Sequence, residues 1–473
     1  MSNSVKDYKK SEHFCSALWM HLHVVNDGRT YPCCMTPIDN QSTLGNVNDN
    51  SLFEIMNSDK AKSMRKGMLE GKPLPSSCSR CVSKEKSGMG SMRIGMNDHW
   101  FDEVEDLVEN TNEDGSIDEL RLLYWDFRFS NYCNLACRTC SPLFSTAWTK
   151  DFVQVFGDKS EHLGLINLDD ADNFWKNIEE TIHTAKEIYF AGGEPLIMPE
   201  HWKLIEMLEE RNLYDVKLKY STNATMLENK GRNIIDVWKK FKHVHLSLSI
   251  DGTGDLFELV RHNGKWAKTR ENLLKINEAG IDFWLHPTIS LLNIFRIDQM
   301  HKEFFDMGLI PIHKKPHEQY PFAPSHYFTS RFHINPVFFP MYYALETLPK
   351  ELKELATEKI TKYGRSMEAK YGIPFSGWES LLDIMNKKEG NPEFFQRFIT
   401  VTKDLDKVRN QDFLKLNPEF KGQFKIMMVP NITNICYGRG VGYKIEEIEL
   451  SKEIQEISAT KIRAKMREDG KLK

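Results

Sequence analysis

What this chain lacks narrows its class before any motif is found. No run of residues approaches the roughly 20 apolar side chains that a membrane-spanning helix requires. The opening MSNSVKDYKKSEHF has no apolar core of the kind a secretory leader carries. No membrane association and a cytoplasmic location are therefore expected. An excess of charge is missing too: 63 basic residues face 67 acidic ones, a net of −4. That near-balance gives no strong nucleic-acid signal and argues against a dominant membrane-surface role. Cysteine is almost absent from the last two thirds, where Cys436 stands alone and reads as a buried thiol; the other eight of nine precede residue 141. In a reducing compartment, thiols clustered in this way serve as ligands rather than bridges.

The rest of the composition is that of an ordinary globular protein, 40% apolar and 27% charged. At 473 residues the chain is too long for one ordinary core, and two or three domains are expected.

The chemistry concentrates in DFRFSNYCNLACRTCSP, residues 126–142. Cys133, Cys137 and Cys140 form a C-x3-C-x2-C triplet just after an apolar, β-favouring run at 122–129. Three thiolates on a loop leaving a buried strand suit three corners of an iron–sulfur cube, with the fourth iron left open to a small molecule. A zinc site, or three unrelated buried thiols, remains the plainer alternative.

A second group lies upstream. Cys15 precedes NDGRTYPCC, in which Asn-Asp-Gly at 26–28 predicts a turn between two short strands, so that a hairpin brings Cys15 near Cys33. SSCSRC presents Cys78 and Cys81 together. Four thiolates fit an all-cysteine zinc site or a fully ligated cluster, and spacing does not separate the two. A helix is predicted over 51–70, a surface helix after it, and an acidic, turn-rich linker up to about residue 117.

From 118 to 320, strand-like and helix-like stretches alternate, which predicts a parallel α/β sheet. Strands are expected at 122–129, 187–191, 216–220, 243–250, 282–289 and 309–313, with helices at 201–211, 229–241, 266–279 and 297–307. Six such units make an incomplete TIM-like barrel, (β/α)6, whose sites gather at the C-terminal strand ends. There stand Gly192, Gly193 and Glu194 of AGGEP, then Asn223, then Ser249 and Asp251. The glycines would let a ligand approach the backbone, and the carboxylate would accept from an ammonium group. Residues 321–423 are rich in aromatics and helix formers, with a charged helical stretch at 350–370. Such density predicts core, and a cover for the open side of the barrel.

At the cysteine triplet and the GGEP segment the sequence resembles the radical S-adenosylmethionine (SAM) superfamily. The resemblance implies a [4Fe–4S] cluster on Cys133, Cys137 and Cys140, chelated by SAM, whose reductive cleavage yields a 5′-deoxyadenosyl radical. Thr139 stands where an aromatic residue is usual before the last cysteine. The same resemblance implies that Gly192, Gly193 and Glu194 receive the methionine amino group. It places Asn223 and Ser249 at the cofactor, Ser249 on the ribose, and Arg261 at the SAM carboxylate. Asp251 is expected to be the acid/base that handles substrate, and His286 and Asn293 to face the same space. Upstream, C-x12-G-x4-C with LGN at 44–46 and SSCSRC is similar to the SPASM/twitch module. That likeness assigns an auxiliary [4Fe–4S] cluster to Cys15, Cys33, Cys78 and Cys81, with Cys34 second to Cys33.

The domains implied are 1–100, 118–320, 321–423 and 424–473. The implied partners are an electron donor such as flavodoxin or ferredoxin, and a peptide, protein or small-molecule substrate. The tail's ISATKIR, 457–463, resembles the end of HIGH-type nucleotidyltransferases, but no H-x-G-H segment accompanies it. A remnant or docking tail is expected there, and a structural zinc-binding interaction protein is the other alternative for the whole chain.

Overall fold

The Asn-Asp-Gly turn sets the N-terminal edge of the fold. Gly28 has φ +85°, and a Cβ there would meet Asn46 Oδ1 at 2.3 Å and Asn48 Nδ2 at 2.4 Å. Around it, β1 (His21–Val24) and β2 (Arg29–Tyr31) pair antiparallel, and β3 (Gly45–Asn46) follows β2. The structure, a computed structural model, describes residues 5–86, 90–157, 164–168, 172–311, 331–371 and 375–422, all within one compact unit.

The hairpin does not stay apart. β1 pairs in parallel with β4 (Tyr124–Phe127), His23 opposite Asp126, and so joins the central sheet. After the thiol loop, which contains the short β5 (Ala136–Cys137), come β6 (Glu187–Phe190) and β7 (Lys217–Thr222). The small hairpin β8 (Glu228–Asn229) and β9 (Arg232–Asn233) precedes β10 (Val244–Leu248); β11 (Arg261–His262) and β12 (Asp282–Leu285) complete this part. The main sheet runs β12-β10-β7-β6-β4-β1-β2-β3, with every pair from β12 to β1 parallel. This is the α/β partial barrel expected from the alternating pattern.

The sixth strand expected at 309–313 is not found at its described positions. Residues 309–311 are not in a strand, and 312–313 lie outside the described residues. Instead, residues 331–337 run alongside β12 and β13 (Thr288–Ile289). Leu285 N donates to Arg331 O (2.7 Å), His333 N to Leu285 O (2.8 Å) and Val337 N to Ile289 O (2.8 Å), and β13 pairs in parallel with β14 (Asn335–Pro336). Phe332 and Ile334 are buried there, so an edge of the sheet drawn from beyond residue 330 closes the core.

Three helix expectations are corrected. The helix expected at 229–241 is confined to Ile234–Trp238, the residues before it forming the β8–β9 hairpin. The single helix predicted over 51–70 is two helices, Leu52–Met56 and Asp59–Leu69. Ser51 and Glu54 form a capping box on the first, and Ser58 caps the second. Asn57, at the break, is held by Ile117, which donates to its Oδ1 (2.9 Å) and accepts from its Nδ2 (2.9 Å). The predicted surface helix, Met92–Glu109, is a core helix that buries Met96, Trp100, Phe101, Val104, Leu107 and Val108 along one face. Its buried positions are interleaved with Asp and Glu, which the local sequence suggested would dominate.

The aromatic region beyond 340 is core, as its composition implied. Tyr343, Trp378, Phe398, Phe413 and Phe420 are buried in the main hydrophobic cluster. PFAPSHYF at 321–328, Cys436 and the ISATKIR tail lie outside the described residues. Among the described residues no helix is long and apolar enough to cross a membrane.

Candidate functional site

Strand β4 delivers the thiol loop to the C-terminal edge of the sheet. Its side chains alternate: Trp125 and Phe127, with Phe129 beyond, pack with Phe174 and Trp175, while Asp126 and Arg128 face the other side with His23 and Tyr189. The loop is fastened by Asn131, whose Nδ2 donates to Pro142 O and Gly164 O (2.9 Å each) and whose Oδ1 accepts from Ile166 N (2.9 Å). Trp148 donates its indole N–H to Cys137 O.

Cys133, Cys137 and Cys140 are each half-buried and within electrostatic reach of one another. Burial is the largest influence on all three and raises their pKa values, that of Cys140 to about 12. Cys137 also has Arg261 and Arg409 near it, which act in the opposite direction. Cys140 N donates to Cys137 O (2.9 Å), and β5 pairs with β11, placing Arg261 opposite Cys137. Arg261 Nη1 lies 3.7 Å from Cys137 Sγ, and its Nε lies 2.9 Å from Asp251 Oδ2. The other Asp251 oxygen accepts from Thr288 N (2.7 Å).

The GGEP segment closes onto the same loop. Gly193 N donates to Ser130 O (3.1 Å) and Glu194 N to Tyr132 O (2.9 Å). A Cβ at Gly193 would fall 2.2 Å from Tyr132 O. The two glycines make room for the chain's own cysteine loop, a demand different from the ligand approach inferred from sequence. Glu194 is buried, accepting from Leu196 N (3.1 Å), Thr222 Oγ1 (2.7 Å) and Asn223 N (2.7 Å). Burial raises its pKa against those hydrogen bonds and the Arg261 charge. Three donors leave about one lone-pair position free, enough for one ammonium hydrogen. Asn223 ties this edge to the thiol loop, its Nδ2 donating to Asn134 Oδ1 (3.0 Å). Ser249 is half-buried at the end of β10, and its N donates to Thr222 O (2.9 Å). His286 is stacked on His333 at 4.6 Å, and burial lowers its pKa to about 4. Asn293 Nδ2 donates to Asp251 O (2.8 Å).

The second thiol group also converges. Cys15 is within electrostatic reach of Cys33, Cys78 and Cys81, and burial raises its pKa well above the ordinary value. Cys33 packs by Thr36 and senses Cys81, and Cys78 senses both Cys33 and Cys81. Cys34 senses Cys33 but not Cys15, Cys78 or Cys81: its Sγ lies 3.6 Å from Met92 Sδ, and its other charged neighbours are Asp126 and Arg128.

Two residues of this architecture were not picked out in the sequence. Arg93 is buried beside Cys15 and Cys81, donates to Ser11 O (2.7 Å) and Phe14 O (2.8 Å), and pairs with Glu85 (2.6 Å). Arg138, fully buried within the triplet, pairs with Asp406 and donates to Gln411 Oε1 (2.9 Å), which attaches the C-terminal helices to the loop. Only the Arg138 signal was available locally, as the one charged residue in the stretch 129–142.

Among the described residues, no three His, Cys, Asp or Glu side chains come together closely enough to hold a single metal ion. The donor sets are three thiols on one loop and four thiols in the N-terminal region, soft ligands of the kind that hold iron–sulfur clusters or zinc.

Such a site, with two thiol sets at the edge of a parallel sheet, is compatible with an iron–sulfur protein, and the family models assign it to that class. The profile of the radical SAM superfamily matches residues 127–299, and that of an iron–sulfur cluster-binding domain, SPASM, matches residues 15–82. The chain therefore carries a radical SAM domain, an enzyme domain that uses a [4Fe–4S] cluster and SAM, and in addition a domain for auxiliary iron–sulfur binding.

Solved structures similar to it include native anSMEcpe with bound AdoMet, at 14% identity over 60% of this chain and 66% of that one, TM-score 0.32. Another is Streptococcus suis SuiB bound to precursor peptide SuiA, at 14% identity over 73% and 69%, TM-score 0.33. The chain spans just under two thirds of the length of the anSMEcpe chain. No curated protein matches it.

Proposed function

We propose that Cys133, Cys137 and Cys140 hold a [4Fe–4S] cluster at which SAM is bound and reductively cleaved, and that the radical so made modifies a peptide or protein. When bound, the cluster and SAM supply the one-electron chemistry; the chain supplies binding, orientation and exclusion of water. The observation that carries this reading is the closure of two polar chains on one loop. On one side Asp251 holds Arg261 against Cys137. On the other Glu194, fixed by Thr222 and Asn223, keeps an acceptor position for an ammonium group beside Asn134.

In this reading Gly192 and Gly193 seat the thiol loop, Glu194 receives the SAM amino group, and Arg261 meets its carboxylate. Asn223 and Ser249 stand at the cofactor's side. Asp251, with both oxygens engaged, suits holding Arg261 better than receiving a proton from substrate.

Cys15, Cys33, Cys78 and Cys81 hold the auxiliary [4Fe–4S] cluster, with Arg93 as its neighbouring cation. A peptide substrate follows from the module resemblance, and a cytoplasmic flavodoxin or ferredoxin is the electron donor. The division into 1–100, 118–320, 321–423 and the tail 424–473 is part of the same proposal.

The test is anaerobic reconstitution. Cys137→Ala is expected to abolish SAM cleavage to 5′-deoxyadenosine while the iron of the N-terminal group remains. Continued cleavage in that variant would overturn the assignment of the two sites. Transfer of deuterium between 5′-deoxyadenosine and candidate molecules in an extract then identifies the substrate.

A further inference from the structure

The face of the sheet opposite the helices is polar in successive rungs. One rung sets His23, Asp126, Tyr189, Lys219, His245 and Asp282 side by side. The next, one step nearer the thiol loop, has Ser221 opposite Ser247 and Ser247 opposite Trp284, all half-exposed. Arg128 is the residue of β4's continuation on that step. The rung beyond contains Asn223 and Ser249, already placed at the cofactor. Directly beneath the cofactor level, then, two serines form a low floor between an arginine and a tryptophan.

Most cations on this face are already committed. Lys219 is paired with Glu187 (2.5 Å) and Arg261 with Asp251 (2.9 Å). Arg128 is committed on one side only: Nε lies 2.9 Å and Nη2 3.4 Å from the Asp126 carboxylate. Its Nη1 makes no hydrogen bond among the described residues, and the side chain keeps 21% of its exposure. His23 Nδ1 lies 3.0 Å from Oδ2 of the same carboxylate, which Arg128 meets through Nε and Nη2 and not through Nη1, its open edge. The guanidinium is braced over the Tyr189 ring (5.1 Å to its centroid), and Tyr189 in turn donates to Ser221 Oγ (3.0 Å). A braced arginine with an open edge is a preorganised receptor for a planar anion.

Its position also has meaning. A Cβ at Gly192 would touch Arg128 Cβ at 3.6 Å, which puts the arginine against the GGEP segment of the SAM-binding loop. On its other side it is a charged neighbour of Cys34, the residue after the auxiliary ligand Cys33. Arg128 therefore stands against the GGEP segment and near the residue that follows Cys33, where a molecule worked on at the SAM-binding loop would lie.

We infer that Arg128 anchors the substrate through a carboxylate, and that the substrate is a peptide segment bearing an acidic side chain. Ser221 and Ser247 accept or donate beneath it, and Trp284 bounds it. This rests on the radical SAM reading above and names the substrate chemistry of the same site.

The test uses full-length protein reconstituted with iron and sulfide, SAM, and matched N-acetylated, C-amidated pentapeptides with Glu, Gln or Lys at the centre. Retention is measured by ultrafiltration and mass spectrometry. Wild type is expected to retain Glu peptides about tenfold over their Gln partners, the scale of one charge-assisted pair. Arg128→Gln should abolish that preference, and Arg128→Glu should transfer it to Lys peptides. SAM affinity, followed by the cluster spectrum, should change less than about twofold in Arg128→Gln, since a group on the substrate alone contributes nothing to SAM binding.

Equal retention of Glu and Gln peptides by wild type would overturn the inference, as would a preference that survives in Arg128→Gln. Loss of SAM affinity in that variant would also overturn it, by moving Arg128 to the cofactor. If Arg128→Gln fails to load iron, Arg128→Lys decides: a preference reduced several-fold, because the fork is lost, supports the anchor, and an unchanged one overturns it. A wild-type spectrum indifferent to SAM would instead sink the underlying radical SAM reading, whatever the peptides do.

Discussion

Substituting Gly193 with Ala tests the packing of the GGEP segment against the thiol loop. The added Cβ would lie 2.2 Å from Tyr132 O, 2.6 Å from Tyr132 C and 2.8 Å from Asn131 C, all of them backbone atoms. No flexible side chain can move aside, so one strand end or the loop must give by roughly 1 Å to restore ordinary non-bonded contact. Overpacking of this kind costs about 1–3 kcal/mol. The residue after Tyr132 is Cys133, so the same displacement carries the first thiol away from its partners. The expected outcome is a folded protein with a lower thermal midpoint, an intact auxiliary cluster and a SAM-binding cluster that loads poorly or does not respond to SAM. Gly67→Ala is the control. It lies inside the helix Asp59–Leu69, where the nearest atom to a new Cβ is Lys72 Cβ at 3.9 Å. There Ala should be neutral or stabilise by up to about 1 kcal/mol. Iron and sulfide per chain, the SAM-induced spectral change and the melting curve are measured together. A Gly193→Ala protein with wild-type melting and a wild-type SAM response would refute the steric reasoning, and so would equal damage from Gly67→Ala.

The remaining predictions follow from other contacts. Cys33→Ala should lose the iron of the N-terminal group, whereas Cys34→Ala, directed toward Met92 and Arg128, should keep it; iron counts in a Cys133/Cys137/Cys140→Ala background decide between them. Asp251→Ala leaves buried Arg261 without its counter-ion, a loss of about 3–5 kcal/mol for a broken buried pair, read by denaturant titration; a change below about 1 kcal/mol, the range of exposed pairs, would mean the pair is solvated. His201, buried against Tyr220 with its pKa lowered to about 3 by burial and then Arg232, binds a proton more readily unfolded than folded. Its contribution is therefore present above the ordinary histidine range and is lost as pH falls from about 6.5 toward 3, at up to about 1.4 kcal/mol per pH unit. His201→Phe should flatten the fall in stability between pH 7 and 5, and an unchanged slope would refute the assignment.

Local pattern carried much of this protein. The strand-like runs at 122–129, 216–220 and 243–250 announced strands, and the helical stretches between them identified a parallel sheet. The thiols at 133, 137 and 140 sit on one short loop, so their spacing alone placed them together. The Asn-Asp-Gly turn required a left-handed residue, and only glycine takes that conformation without strain. These features are short-range, and their physics lies within a dozen residues.

Tertiary structure decided the rest, because partners far apart in sequence leave no local trace of each other. β1 joins the sheet by pairing with β4 across about a hundred residues, and residues 331–337 run along β12 and β13 while the described residues 309–311 form no strand. A strand edge accepts any segment that brings backbone donors and a matching buried face, and loop-closure entropy grows only slowly with the length between them. The burial of one face of Met92–Glu109, the reach of Asp406 to Arg138, and the open edge left on Arg128 by Asp126 all arise the same way. A charge in the sequence reveals its type; whether it is spent on a neighbour or kept for a ligand depends on what the folded chain brings beside it.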